Sequence, residues 1–272
     1  MTDMNRTKNA DGAEPAAVLK GNINHSVCRW CYHRIPLDQL CAAAKQMGIK
    51  SIDLQGPKEW PTLKKYGLTC AMGNGAGMGI KKGFNRIELH DRLVADYAQL
   101  IPQAADVGIP NVICFSGNRD GMDDETGLKN CAQGLKRLMK LAESKKVSVV
   151  MELLNSKVNH KDYMCDHTEW GTDLCRAVGS DRFQLLYDIY HMQIMEGDLI
   201  DTLTKNIEYI AHFHTGGVPG RHEIDDTQEI YYPAVMRAIV KTGFKGYVAQ
   251  EFIPAGPDPL AALKSGIAIC DV

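Results

Sequence analysis

The chain has 272 residues, 44% of them hydrophobic and 24% charged, the balance of a globular protein with a sizeable core. That excludes a disordered, collagen-like or small disulfide-stapled polypeptide. With 31 basic against 33 acidic residues the net charge is −2, so no overall field recruits nucleic acid or an anionic membrane. No apolar run approaches the roughly 20 residues that span a bilayer.

The first 18 residues, MTDMNRTKNADGAEPAAV, are polar and lack an apolar signal core. They read as a flexible tail ahead of a single domain over 19–272. Nine cysteines, an odd number, do not read as a disulfide framework, and a reducing cytoplasm is the simpler setting. An export signal cleaved ahead of this sequence is compatible with the same reading. Cys28-Arg-Trp-Cys31 matches a redox or zinc half-site in spacing alone. No second CxxC exists and no thioredoxin-type context surrounds it, so the thiols are expected to be ordinary and reduced.

From Leu19 on, short apolar or β-branched runs alternate with longer helical patterns. GNINHS (21–26) predicts a first strand and 36–47 a helix with apolar spacing at Leu37, Leu40 and Ala44. IKSIDLQG (49–56) alternates as a strand, and GLTCAMGNG (67–75) predicts a third strand ending in a glycine-rich loop. A long amphipathic helix over 88–107 stops at Gly108-Ile-Pro110. NVICFSG (111–117) is apolar throughout, as a strand buried on both faces should be.

The same rhythm continues with a helix over 124–144, a fifth strand VSVVMELLN (147–155) and a helix over 168–178. A sixth strand FQLLYDIYH (183–191), a helix over 198–208 and a seventh strand IAHFHTGG (210–217) follow. A helix over 232–242, an eighth strand GYVAQEFIP (246–254) and a helix over 257–270 close the chain. Eight βα units of this length without a linker predict an α/β fold, a single closed (β/α)8 TIM barrel. A doubly wound open sheet is the alternative, but no GxGxxG follows the first strand. GNGAGMG (73–79) lacks the Lys-Ser/Thr of a P-loop and reads as a loop.

The ionisable residues carry the functional signal. Glu152, Asp188, His214 and Glu251 fall late in the fifth to eighth strands, about one βα unit apart. In a barrel those strand ends face one pocket. A carboxylate inside SVVMELL, LLYDIY or YVAQEF is costly to bury unless paired or coordinated, and three converging carboxylates repel unless a cation lies between them. The expected site is therefore one divalent metal ion held by Glu152, Asp188, His214 and Glu251, with Mn²⁺, Mg²⁺ or Co²⁺ suiting the mixed O/N donors. Pairing of the acids with Lys or Arg at the rim is the structural alternative.

Around these ligands, His191 is placed to face a substrate or to be a satisfied rim histidine. His212 points to the ligand face, lower in the barrel, as a supporting group rather than a ligand. Arg221 in VPGRHE is a candidate bidentate clamp for a substrate carboxylate. Asn155 and Lys157 are candidates for substrate hydroxyl or carboxylate groups, and Tyr163 is a weaker one. Such a metal polarises the carbonyl of an α-hydroxy carbonyl compound, and Glu152 and Glu251, on separated strands, act on protons from two sides. Moving a proton between neighbouring carbons through an enediolate isomerises ketose to aldose. Returning it to the opposite face of one carbon epimerises.

MELLN (151–155), DIYHMQIMEGD (188–198), HFHTGGVPGRHE (212–223), QEFIP (250–254) and CFSGNR (114–119) resemble hydroxypyruvate isomerases of the xylose isomerase-like TIM-barrel superfamily. The resemblance runs from about residue 20 to the C-terminus, and DIYHMQIMEGD is its most specific part. It implies metal binding by Glu152, Asp188, His214 and Glu251, proton handling by Glu152 and Glu251, and substrate contacts by His191 and Arg221. The implied reaction interconverts hydroxypyruvate and tartronate semialdehyde. His214 stands where many hydroxypyruvate isomerases carry Gln, and HFHTG is similar to the ketose 3-epimerase version of that strand. There the loop continues with Glu and an Asn-Arg pair, whereas here it reads GGVPGRHE. A ketose 3-epimerase is thus the close rival, and a non-catalytic sugar-acid binding protein a more distant one. The abasic-site endonucleases of the superfamily have many more histidines and a basic groove, which nine His and the net charge oppose. The expected partner is a small hydroxy-carbonyl substrate, with no nucleic acid or membrane and with homo-oligomerisation left open.

Overall fold

A computed structural model describes residues 18–272; apart from Val18, the expected tail lies outside the described residues. Among the described residues seven parallel strands form one sheet: β1 (Asn24–Cys28), β2 (Ser51–Asp53), β3 (Asn111–Cys114), β4 (Ser148–Glu152), β5 (Phe183–Asp188), β6 (Ile210–Thr215) and β7 (Tyr247–Gln250). Their order is β2-β1-β7-β6-β5-β4-β3. Helices α1 (Leu37–Gln46), α2 (Trp60–Lys65), α3 (His90–Asp106), α4 (Asp124–Lys145), α5 (Thr168–Val178), α6 (Ile189–Met195), α7 (Leu199–Lys205), α8 (Tyr232–Lys241) and α9 (Pro259–Cys270) lie between and after the strands. Among the described residues no helix is long and apolar enough to cross a membrane.

The expected third strand is not a regular strand. Residues 69–73 run between β2 and β3 and close the barrel through isolated pairings, Gly73 meeting both Gln55 and Val112. At Ala71 and the Met72 N–H, side chains take the place of ladder partners. Ser51 Oγ accepts the Ala71 N–H at 2.7 Å, Asp53 Oδ1 accepts those of Ala71 and Met72 at 3.0 and 3.3 Å, and Asn111 Nδ2 donates to the Ala71 carbonyl at 2.9 Å. A polar side chain inserted into a ladder satisfies the backbone while spoiling its regularity. The expected eight strands are thus seven plus this bridging segment, and the expected fifth to eighth strands are β4 to β7.

Two further boundaries move. The first strand lies at 24–28 rather than 21–26, which brings Cys28 to its end. The sixth stops at Asp188 instead of continuing to His191: the Asp188 carboxylate accepts the His191 N–H at 3.2 Å and caps α6. IYHM is buried throughout, and an apolar run of that length reads equally as strand or as buried helix.

Glycine is required where the loop after residue 73 presses on β3. A Cβ on Gly75 would lie 2.1 Å from the Ile113 carbonyl oxygen, and one on Gly83 2.2 Å from that of Phe115. Both obstacles are backbone atoms, so no side chain fits at either position.

Behind β4, buried Asp166 ties the loops together. It receives Arg119 Nη2 and Nη1 at 3.1 and 3.2 Å, Ser156 Oγ at 2.5 Å and His167 Nδ1 at 2.8 Å. Burial alone would raise its pKa, but these partners, Arg119 foremost, hold it below the ordinary value. A carboxyl depressed in the folded state stabilises above the unfolded pKa of about 3.9 and loses that contribution as pH falls through the folded one. Urea midpoints from neutral pH down to about pH 3 should therefore fall more steeply for the parent protein than for Asp166→Asn. Parallel curves would mean that this cluster does not govern acid stability.

Candidate metal and catalytic site

β4, β5, β6 and β7 are neighbours in the sheet, so their carboxyl ends form one continuous rim. Glu152 and Asp188 are the last residues of β4 and β5, His214 is the penultimate residue of β6, and Glu251 follows β7. Val150, Leu186 and His212 precede the first three by two positions and share their face. The structure brings all four expected ligands together: one donor atom from each lies within 4.8 Å of the others, and all four side chains are buried.

His214 Nδ1 is 2.8 Å from Glu251 Oε2 and 3.4 Å from Glu152 Oε1. Its other ring nitrogen lies 3.5 Å from Cys28 Sγ, so Nδ1 is the nitrogen turned to the carboxylates. Cys28 is a buried thiol whose pKa is pushed well up by burial and the neighbouring acids, as expected of an unreactive cysteine.

Arg221 is more deeply engaged than its loop position predicted. Its Nη2 donates to Asp188 Oδ2 at 3.1 Å and to Glu251 Oε2, and Nη1 lies 3.0 Å from His191 Nε2. The guanidinium sits between the rings of Trp30 and Tyr190, 5.3 and 5.2 Å from their centroids. The fork expected to clamp a substrate carboxylate is occupied by the site's own acids. His191 is not at the rim but fully buried in α6. Asn155 reaches its Nδ1 at 2.6 Å and is itself fixed by the N–H groups of Val158 and Asn159. Asn155 therefore orients His191. Lys157 is not brought to the cluster: its Nζ donates to the carbonyls of Ile194 and Met195, both at 3.0 Å, at the end of α6. The Tyr163 hydroxyl donates to the Glu152 carbonyl at 3.0 Å and accepts the Ser116 N–H at 3.1 Å, pinning the backbone beneath Glu152.

Two residues went unnoticed in the sequence. Trp30 Nε1 donates to Glu251 Oε1 at 2.7 Å. Asp53 Oδ2 lies 2.9 Å from His212 Nε2, both fully buried inside the barrel, which gives His212 a carboxylate partner of its own. The legible signal for Asp53 was an acid in the alternating strand IKSIDLQG; nothing in CRWC singled out Trp30.

Charge balance in the cluster is informative. Burial, reinforced by Glu251 and Glu152, raises the Asp188 pKa to about 8 in spite of Arg221 and His214. Burial likewise raises Glu152, against His214. Burial opposes charge on His214, yet Glu251 and Glu152 raise it well above the ordinary imidazole range. Burial would raise Glu251, but His214, Arg221 and Trp30 hold it well below the usual carboxylate range. With all three acids ionised, they and Arg221 carry a net charge of −2, which one proton on His214 and one on Asp188, the directions in which these two groups are shifted, would offset. A divalent cation carries the same charge as those two protons. His214 Nδ1 also lacks a well-aligned hydrogen-bond partner. The donor set fits a hard or borderline divalent ion.

Above the cluster lies a cavity of about 490 Å³, walled by Trp30, His160, Arg221 and the glycine-rich loop 74–83, with Glu152 and Glu251 in its lining.

Residues 41–270 match the family described as xylose isomerase-like TIM barrel. The chain belongs to that family. It is 26% identical over 229 residues to the 2-oxo-tetronate isomerase of Cupriavidus necator, covering 80% of this chain and 87% of that one. It is 35% identical over 105 residues to the hydroxypyruvate isomerase of Escherichia coli, covering 38% and 40% of the two chains. Among solved structures, the 3-keto-D-glucoside 4-epimerase of E. coli superposes with a TM-score of 0.76 at 17% identity, covering 90% of this chain and 98% of that one. That likeness concerns the fold.

Proposed function

We propose that this chain is a metal-dependent isomerase of short open-chain hydroxy-keto acids, interconverting hydroxypyruvate and tartronate semialdehyde or a longer homologue. One observation carries the reading: Glu152 and Glu251 flank the same His214 nitrogen from β4 and β7, with Asp188 between them in the rim. The names of the relatives, isomerases of 2-oxo-tetronate and of hydroxypyruvate, support it. Glu152, Asp188, His214 and Glu251 would hold the metal, which when bound supplies Lewis-acid polarisation of a carbonyl.

The chain's own groups carry the proton. In hydroxypyruvate the hydrogen leaves C3 and reappears at C2, while the hydroxyl hydrogen passes from O3 to O2, so atoms balance without a redox partner. Glu251, kept ionised by His214, Arg221 and Trp30, is set up to accept the carbon-bound proton. Glu152, whose pKa burial raises, is set up to exchange a proton with the neighbouring carbon from the other strand. Arg221 and, through Asn155, His191 fix the orientation of Asp188 and Glu251.

The test is turnover of hydroxypyruvate in D₂O by the Mn²⁺-loaded protein, read by NMR. Deuterium at C2 of the aldehyde product is expected. The same two glutamates also suit a ketose 3-epimerase, since they come from separated strands. Exchange at C3 of a ketose with none in the keto acid would decide for that reading.

A further inference from the structure

The proposed reaction relocates two hydrogens, and the glutamates account for one of them. Glu152 and Glu251 handle the carbon-bound proton, while the hydroxyl hydrogen has still to leave O3 and reach O2. A side chain that carries it must face the cavity and hold a nitrogen or oxygen free to take a proton and give it back.

The imidazoles of the cluster are already engaged. His214 is shared between Glu152, Glu251 and Cys28, His191 is held by Asn155 and Arg221, and His212 by Asp53. His160 differs. It is half-buried in the cavity wall that also includes Glu152, Arg221 and Glu251. Its ring stands edge-on to that of His191, 5.3 Å away between centroids. Among the described residues its side chain makes no hydrogen bond and no ion pair.

The backbone beneath it is fixed. The His160 N–H donates to the Asn155 carbonyl at 3.0 Å, and the His160 carbonyl accepts the Tyr163 N–H at 3.0 Å. Next to it, Asn159 Oδ1 accepts the Tyr190 hydroxyl at 2.8 Å and Asn155 Nδ2 at 2.9 Å. A rigid turn that leaves its imidazole free is pre-organised for a ligand rather than for packing. Burial, and after it the charge of Arg221, lowers the His160 pKa against the opposing effect of Glu251. The ring is therefore uncharged near neutral pH, with one nitrogen a donor and the other an acceptor.

We propose that His160 is a further catalytic residue, the carrier of the hydroxyl proton. One ring nitrogen takes the proton from O3 as the C3–O3 bond becomes a carbonyl, and the same nitrogen returns it to O2. The O3–H bond breaks, an O2–H bond forms and the ring ends neutral, so no co-reactant is consumed. The inference rests on the proposed isomerase reading, since a 3-epimerase makes no net transfer between oxygens.

His160→Phe keeps a ring against His191 and removes both nitrogens. His160→Gln keeps a hydrogen-bond donor and acceptor but relays no proton. On the faster of hydroxypyruvate and its four-carbon homologue, both Mn²⁺-loaded variants should show kcat lowered about 10²-fold or more, with KM in His160→Gln within about threefold of the parent. In D₂O, deuterium should still enter C3 of the recovered substrate, because Glu251 is untouched. The ratio of that exchange to product formation should therefore rise at least about tenfold in both variants, which a merely structural loss would not do. A His160→Gln enzyme as fast as the parent, or exchange and product formation falling together, overturns the shuttle and leaves the isomerase standing. A parent that neither isomerises nor exchanges either acid overturns the isomerase reading and the role of His160 with it. Should His160→Phe lose the fold by circular dichroism, His160→Gln decides alone.

Discussion

Glu152→Gln and Glu251→Gln are each expected to lower kcat by about 10²–10⁴, the usual worth of a positioned general acid or base, with far smaller changes in substrate affinity. Gln keeps an oxygen in the ligand position and removes the ability to carry a proton. The two variants should differ in detail. Glu251 accepts bonds from Trp30 Nε1 and Arg221 Nη2, so its amide leaves Arg221 with one acceptor fewer and should also lower thermal stability. Glu152 has no such anchor beyond His214, and its variant should be folded as firmly as the parent. Single-turnover measurements with Mn²⁺ bound separate chemistry from binding. An active Glu152→Gln enzyme would remove that carboxyl from proton transfer, and an active pair would remove the mechanism.

The second large effect concerns the metal. Adding Mn²⁺ or Co²⁺ to chelator-stripped protein, at about a hundredfold excess over Kd, should contribute about 2.7 kcal/mol and raise Tm by roughly 5–10 °C for a chain of this size. Uptake near neutral pH should release about two protons, from His214 and Asp188, because the ligands must shed them before they coordinate. Calorimetry in buffers of different ionisation enthalpy counts them. The sign with pH follows from Asp188, whose pKa is raised to about 8. An acid raised in the folded state costs stability increasingly as pH climbs from its unfolded value of about 3.9 to its folded one. The metal-free protein should therefore lose stability from this group across that window, while metal affinity rises over the same range. Asp188→Asn abolishes this buried-acid cost: without metal it should be at least as stable as the parent at pH 8, yet lose most of the metal-induced rise in Tm and release one proton fewer. A Tm indifferent to divalent ions, or a metal response undiminished in Asp188→Asn, would show that these side chains do not hold a cation.

Both results depend on a cluster that linear sequence made visible through one regularity. Four acids and imidazoles stood in otherwise apolar strands, each at the same end of its unit. Burying a charge in such a run is too costly to occur without a partner, so pattern alone placed Glu152, Asp188, His214 and Glu251 in one pocket. The alternation of strand and helix likewise specified a barrel, since hydrophobic period and spacing are local properties. Short elements were less legible. The 67–75 segment has strand composition, but at its centre Ser51, Asp53 and Asn111 from its two neighbours take the hydrogen bonds of Ala71 and the Met72 N–H. No window of sequence contains those partners.

What the sequence determined by itself was therefore the architecture and the gathering of Glu152, Asp188, His214 and Glu251 at one rim, because both follow from where polarity interrupts a buried periodic pattern. What only the tertiary structure decided was how the groups around them are used. Arg221, some 30 residues from either partner, is bound to Asp188 and Glu251; Trp30, at the opposite end of the chain, holds Glu251; and Lys157 turns away to α6. A long side chain on a loop has many directions open to it, and its choice is set by which charges lie within reach in space. That information exists only after the barrel has closed.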